Sequence, residues 1–296
     1  MSRRNPSASP VFPAFRWGAS AFAVGFAAAV ALLLAADVAY LVEFAWRAAP
    51  ERSAEIWREL ASPETRAELW LSLGTATLTT VLALAVAVPA GYGLSRCRIP
   101  GKVVVDTLVD AAIVLPPLIL GVSLLVLFSL LRRWADSAGG PAGPQPLLQG
   151  LYDFFVYNKP GIVLAQFFVC TALYIRAMRA AFDGADRRVE AVALTLGCTP
   201  FGAFRKAALP QAVGGLVAGG VMAWAYAVGL FAPVAIFAGT VRGRTAVLPT
   251  RTYLEVSVGR LEVALVLTLV MAAIAMAVLI GVKLLVGRSA RPKGAS

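Results

Sequence analysis

The sequence predicts an all-α polytopic membrane protein with six transmembrane helices and both termini on the cytoplasmic side (N-in, C-in). Three observations carry that prediction. Of the 296 residues, 59% are hydrophobic and 15% charged, with a mean hydropathy of +0.77, whereas a soluble domain is about half apolar and about a quarter charged. Six apolar stretches each exceed the roughly 20 residues needed to cross about 30 Å of hydrocarbon. The 27 Lys and Arg and 16 Asp and Glu lie mostly between those stretches, and the excess of positive charge falls on alternate connections. A soluble enzyme is excluded.

The first window, Trp17 to Val42, follows Arg3, Arg4 and Arg16 but outruns the apolar region of about 7 to 15 residues in a secretory signal, so it reads as a retained anchor. Ala45 to Leu69, rich in Glu and Arg and free of Gly, reads as one external amphipathic helix. The second and third windows are Leu69 to Leu94 and Leu108 to Leu131. The third carries Pro116 and Pro117 in mid-membrane, where the missing donors predict a kink and a candidate gate. Ser137 to Gln149, with its run of Gly and Pro, reads as an external loop. Gly161 to Phe182 is the fourth window, Ala212 to Ala238 the fifth and Val263 to Val286 the sixth. Gly214, Gly215, Gly219 and Gly220 in the fifth recur at spacings that let helices approach closely, and Gly229 joins the prolines as a candidate kink or gate. The expected division is 1–68 for the N-terminus, anchor and external segment, 69–288 for the transmembrane core, and 289–296 for a short cytoplasmic tail.

Several chemistries drop out. With no His, and with Cys97, Cys170 and Cys198 scattered, no metal site, redox pair or Ser–His–Asp arrangement has its residues. The external acidic residues read as a solvated helix face rather than a catalytic pair. A P-loop needs G-x-x-x-x-G-K-[ST], and around Gly101 and Lys102 the first Gly is replaced by Arg96 and the Ser or Thr by Val103. The chain itself is therefore not expected to bind a cofactor or hydrolyse ATP. Its basic residues read as topology determinants and contacts to membrane lipid headgroups, and no nucleic-acid partner is assigned.

The most informative connection is the cytoplasmic stretch 187–210, RRVEAVALTLGCTPFGAFRKAALP. Arg187 to Leu196 has good helix formers, and Gly197 stands where a helix stops in the left-handed conformation. Thr199 can cap a second helix of about two turns, with Pro200 at its first position and Pro210 closing it. Phe201 and Phe204, three apart, share one face of that helix, and Arg205 and Lys206 follow. Such an element inserts into a groove of another protein or lies on lipid headgroups.

On these residues the chain resembles the membrane subunits of binding-protein-dependent ABC importers, whose signature is a cytoplasmic EAA loop. That pattern is Glu-Ala-Ala, three residues, Gly, nine residues, Ile, any residue, Leu-Pro. Gly197, Ala207 in the Ile slot, Leu209 and Pro210 keep its spacing, and Glu190, Ala193, Leu196 and Gly197 fit a variant with the Glu one residue early. The resemblance covers about Leu69 to Val286, since LSLGTATLTTVLALAVAVPAGYGLSR also looks like the start of the family's core. It implies the type I (MetI-like) importer permease fold, with Gly197 making the bend and Phe201 and Phe204 reaching a nucleotide-binding partner. It further implies a pair of ATPase subunits holding ATP and Mg, a second permease copy or paralogue, and a periplasmic or lipid-anchored substrate-binding protein.

Within that family, LLRRWADSAGGP, GIVLAQFFV, AWAYAVGLFAPVAIFAG and TAVLPTRTYLEVSVG resemble the branch importing molybdate, tungstate or sulfate. The branch commonly has Gly-Glu-Phe-Gly where this chain has Gly229, Leu230, Phe231 and Ala232, and Pro where it has Thr171 and Ala172. No Lys or Arg lies in mid-membrane, so recognition is expected to rest with the external binding protein. A ferric-iron or polyamine importer and an ATP-independent carrier stay open as alternatives.

Overall fold

The computed structural model describes residues 13–47, 50–97, 100–137 and 145–289, and every regular element among them is helical. Among the described residues six helices are long and apolar enough to cross a membrane: Val24–Phe44, Pro63–Arg96, Pro117–Ser137, Lys159–Asp183, Pro200–Gly229 and Leu261–Leu284. Arg3, Arg4 and residues 290–296 of the expected tail lie outside the described residues. The chain divides into two units, Met1–Ile56 and Trp57–Ser296. The first holds helix α1 (Pro13–Arg47), whose membrane-length window buries nothing, with Arg47 bridged to Glu43 one turn back.

In the second unit α3 (Pro63–Arg96), α7 (Lys159–Asp183) and α10 (Leu209–Gly229) form the central core. Ala76, Ala83 and Ala87 put small side chains on one stripe of α3, and Cys170, Tyr174, Met178 and Phe182 of α7 fill the space beside them. Between apolar helices in lipid, close van der Waals packing and interhelical hydrogen bonds replace the hydrophobic effect. Both are present. Thr79 donates to Gln166 Oε1 at 3.0 Å, Gln166 Nε2 donates to the Ala227 carbonyl at 3.0 Å, and Tyr174 donates to the Leu216 carbonyl at 2.8 Å.

The glycines of α10 serve the packing expected of them, on one side of the helix. A Cβ at Gly215 would stand 2.2 Å from Cβ of Ala181, and one at Gly219 would stand 2.8 Å from Cβ of Ala177, whereas Gly214 faces open space. Gly215→Val therefore forces α10 off α7, at a cost of about 1–3 kcal/mol. The expected result is a lower thermal midpoint of the detergent-solubilised protein, with Gly214→Val, equal in helix propensity, close to the parent. Equal midpoints for the two variants would contradict the packing.

Five boundaries differ from those expected. The third window is two helices: α4 (Lys102–Val114) ends, Leu115 is extended at φ −63° and ψ 136°, and α5 (Pro117–Ser137) begins a new span. Pro116 disfavours the helical conformation at the residue before it, so the double proline interrupts the helix outright. The fifth window stops at Gly229, Leu230 is extended, and α11 (Ala232–Phe237) starts afresh with Pro233 in its first turn. The external segment expected as one helix is α2 (Pro50–Leu60) followed by a break at Ser62, whose hydroxyl accepts from Thr65 N–H at 3.3 Å. From Pro63 the chain is already α3, which runs through the expected boundary at residue 68. Of the expected external loop, α6 (Gln145–Phe155) claims the last residues, and 138–144 lie outside the described residues.

Leu124 of α5, Val156, Ile162 and Ala165, and Val234 and Phe237 of α11 form a second core. The chain then passes through residues 238–247 to α12 (Leu248–Ser257) and α13 (Leu261–Ser289).

Candidate functional site

The loop at 187–210 begins with α8 (Arg187–Thr195), whose N-cap Asp186 accepts from Arg188 N–H at 2.9 Å through Oδ1. At its end Gly197 has φ +86°, a conformation that disfavours any residue with a Cβ. Cys198 N–H donates to the Ala193 carbonyl at 3.1 Å and Gly197 N–H to Leu194 at 3.0 Å, the paired bonds of a Schellman motif. Ala193 thus supplies the acceptor that closes the turn. Thr199 then caps α9 (Pro200–Ala203), accepting from Gly202 N–H at 3.1 Å.

The short helix does not end at Pro210. Phe204–Ala208 is a turn of π-helix in which Leu209 N–H donates to the Phe204 carbonyl, and α10 continues from it as a single membrane-length helix. Pro210 sits in the first turn of α10, beside the wider π turn that relieves the clash a proline ring makes with the preceding turn. The two rings of the aromatic pair stay in contact, with centroids 6.2 Å apart. Phe201 is 71% exposed, whereas Phe204 turns inward, edge-on to Tyr92 at 4.7 Å and 6.1 Å from Phe182. Phe204 is half-buried against those two rings, so of the aromatic pair expected to reach outward Phe201 is the exposed one. Leu196, 80% exposed, is a further apolar side chain open on this loop, with Val189, Val192 and Leu194 adding apolar surface.

Glu190, on α8, is buried. Its Oε1 accepts from Arg96 Nε at 2.9 Å and Nη2 at 2.8 Å, and its Oε2 from Tyr92 at 3.1 Å. Arg96 Nη2 also donates to the Ala185 carbonyl at 2.9 Å, Arg187 donates to the Ser95 carbonyl at 3.0 Å, and Ser95 donates to Asp183 at 2.6 Å. The end of α3 is thereby fastened to both ends of the α7–α8 corner. Sequence alone does not pair Arg96 with Glu190, because the two are 94 residues apart. Pro116 and Gly229 are exposed and Pro117 half-buried at the two helix breaks.

About 42 Å along α3 from Arg96, at 1.5 Å per residue, stands a second polar cluster. Arg251 of α12, 2% exposed, donates to Glu68 Oε2 at 2.7 Å and Thr65 at 2.6 Å through Nη1, and to Glu59 at 3.1 Å through Nη2. Arg242 and Arg260 close on Glu59 as well, and Arg260 reaches Glu255 at 3.4 Å. Glu59 and Glu68 are therefore bound inside an ion-pair network, not on the solvated helix face expected. The alternation of Glu and Arg between residues 43 and 68 drew attention to a surface helix, and nothing local pointed to α12.

For Glu59, burial raises the carboxyl pKa, but hydrogen bonds from Arg260 and Arg242 and their charges outweigh it and hold it below the ordinary 4.5. A depressed carboxylate contributes stability that is fully present above the unfolded-state value and is lost as pH falls through the folded one. The thermal midpoint of the parent should exceed that of Glu59→Gln at neutral pH, with the gap closing below about pH 4. A gap constant from neutral to acid pH would contradict the assignment.

Residues 81–291 match the family model described as the binding-protein-dependent transport system inner membrane component. The chain belongs to this family. It is 37% identical over 157 residues to the molybdate/tungstate transport system permease protein of Thermococcus kodakarensis, covering 53% of this chain and 54% of that one. The molybdenum transport system permease protein of Escherichia coli K12 is 32% identical over 187 residues, covering 62% and 76%, and that of Mycobacterium bovis 31% over 231 residues, covering 76% and 81%. The chain spans about half the length of the first two curated relatives it matches. A bacterial ABC transporter involved in the import of alginate superposes with a TM-score of 0.71 at 12% identity, covering 96% of this chain and all of that one, a likeness of fold. Membership in this inner-membrane transport family and six membrane-length helices make the chain a multi-pass membrane protein with the expected importer-permease fold.

Proposed function

We propose that this family member is the membrane-spanning permease subunit of an ATP-driven importer of a small oxyanion: molybdate, tungstate or sulfate. The observation that carries the substrate class is the set of relatives in three distant organisms, each a permease of molybdenum, or of molybdate and tungstate. Physical chemistry requires an energy source for such cargo. Carrying a dianion into a negative interior costs roughly 4–5 kcal/mol per 100 mV, at about 2.3 per charge.

The energy enters, on this reading, at the loop 187–210. Leu196 and Phe201 form an exposed apolar knob held by a left-handed glycine and a capped turn, flanked by the exposed Arg205 and Lys206. A rigid apolar anchor of this kind suits a groove on another protein. Its partner is a pair of ATPase subunits, which bind the ATP and Mg. The loop faces the cytoplasm, with the N- and C-termini on the same side, while the Arg251 network faces outward where a periplasmic or lipid-anchored binding protein delivers the anion. A second permease copy or paralogue completes the pathway, and the helix breaks at Pro116–Pro117 and Gly229 are the candidate gates.

The test is uptake by proteoliposomes holding the assembled transporter, with ATP inside and the binding protein and radiolabelled molybdate, tungstate or sulfate outside. The proposal predicts accumulation of at least one of these anions that needs both ATP and binding protein. Accumulation without ATP would identify a passive carrier instead.

A further inference from the structure

Once the docking surface is assigned to Leu196 and Phe201, Glu190 and Arg96 are left without a part in it. Glu190 is buried, the Arg96 side chain is 8% exposed, and the two are engaged with each other. We infer that Arg96 is a positioning residue: its closure on Glu190 makes the coupling loop and the ends of α3 and α7 move as one body, so that displacement of the loop reaches the pathway through α3. The inference rests on the coupling reading above and names the route by which that site acts.

The argument is one of connectivity. Chain continuity already joins the loop to α7 on one side and to α10 on the other. Nothing covalent joins it to α3. The attachments to α3 include the Arg96–Glu190 pair, Tyr92 donating to Glu190, Arg96 to the Ala185 carbonyl, Arg187 to the Ser95 carbonyl, and the Tyr92 ring against Phe204. The two residues on α3 are four apart, so they present one face. Their donors arrive at the two carboxylate oxygens from different directions, which fixes the carboxylate in rotation as well as in position.

Energetics point the same way. A buried ion pair gives little net stability over an apolar pair of similar volume, because desolvation offsets the attraction. What it supplies is direction, since the planar guanidinium grips only in its own plane. Arg96 uses the edge formed by Nε and Nη2, while Nη1 has no acceptor among the described residues, so the grip depends on that single edge. A Lys at this position keeps the charge and loses the edge.

The experiment uses the full transporter in proteoliposomes and measures radiolabelled molybdate, tungstate and sulfate imported per ATP hydrolysed. It compares the parent with Arg96→Lys and with Tyr92→Phe, which removes a single donor and keeps the ring. In assembled transporter, Arg96→Lys is expected to lower the anion-to-ATP ratio by about tenfold and Tyr92→Phe by about fivefold, within the range of ordinary site-to-site coupling. A purely structural Arg96 would instead reduce the yield of assembled transporter and leave the ratio of the assembled fraction at the parent value. That result, or a parent ratio in both variants, overturns the inference alone. Failure of the unmodified chain to retain the ATPase overturns the coupling reading and the inference together.

Discussion

Leu196→Asp combined with Phe201→Asp is expected to abolish retention of the ATPase and to bring anion uptake down to the level of a strain lacking the permease. At 80% and 71% exposure the two side chains contribute little to the chain's own packing, so surface substitutions here fall within about 0.5 kcal/mol. Burying two carboxylates in an apolar groove costs several kcal/mol, and about 4 kcal/mol is about a thousandfold in affinity. The measurement is copurification of the ATPase with the tagged permease, with the thermal midpoint of the permease recorded alongside. An unchanged midpoint with the ATPase lost is the predicted pair of results, and full retention would remove the knob from the interface. Phe204→Asp would not serve, because Phe204 is wedged against Tyr92 and Phe182, and its loss mixes folding with docking.

Arg251→Ala is expected to be the most destabilising single change in the chain. Glu68, 1% exposed, would be left as a buried carboxylate without its cation, and breaking a buried pair in this way costs about 3–5 kcal/mol. Against the 5–15 kcal/mol that holds a typical domain, that is a large fraction. The yield of monodisperse protein in detergent and its thermal midpoint should both fall sharply, and Arg251→Met with Glu68→Gln should recover most of the loss by removing both charges. A parent midpoint in Arg251→Ala would mean that the network is solvated.

The six spans and the turn at Gly197 were legible because each depends on local chemistry: runs of apolar residues, a glycine after a helical segment, a threonine and proline that start the next. The helix ends at Val114 and Gly229 were harder, since hydropathy carries straight through Pro116 and through Leu230 to Ala238. A proline's effect on its predecessor separates a kink from a break, and hydropathy windows do not weigh it. The inward turn of Phe204 was not legible because spacing correctly puts its ring beside that of Phe201, 6.2 Å away, but says nothing of Tyr92 and Phe182, which meet it from elements distant in sequence. The two ion-pair clusters stayed hidden for a different reason. Arg96 with Glu190 and Arg251 with Glu68 join residues 94 and 183 positions apart, and a charge beside an apolar run looks the same whether it meets water, lipid or a distant partner.

The central claim, that this chain passes an oxyanion, is tested most directly by elemental mass spectrometry of cellular molybdenum, tungsten and iron, with labelled sulfate uptake, at trace supply. The comparison is a deletion strain rescued by the parent chain or by Gly197→Asp, whose side chain the +86° φ at that position disfavours. The account predicts loss of molybdenum, tungsten or sulfate with iron unchanged, restored by the parent and not by the variant. Loss of iron with the oxyanions unchanged would contradict it.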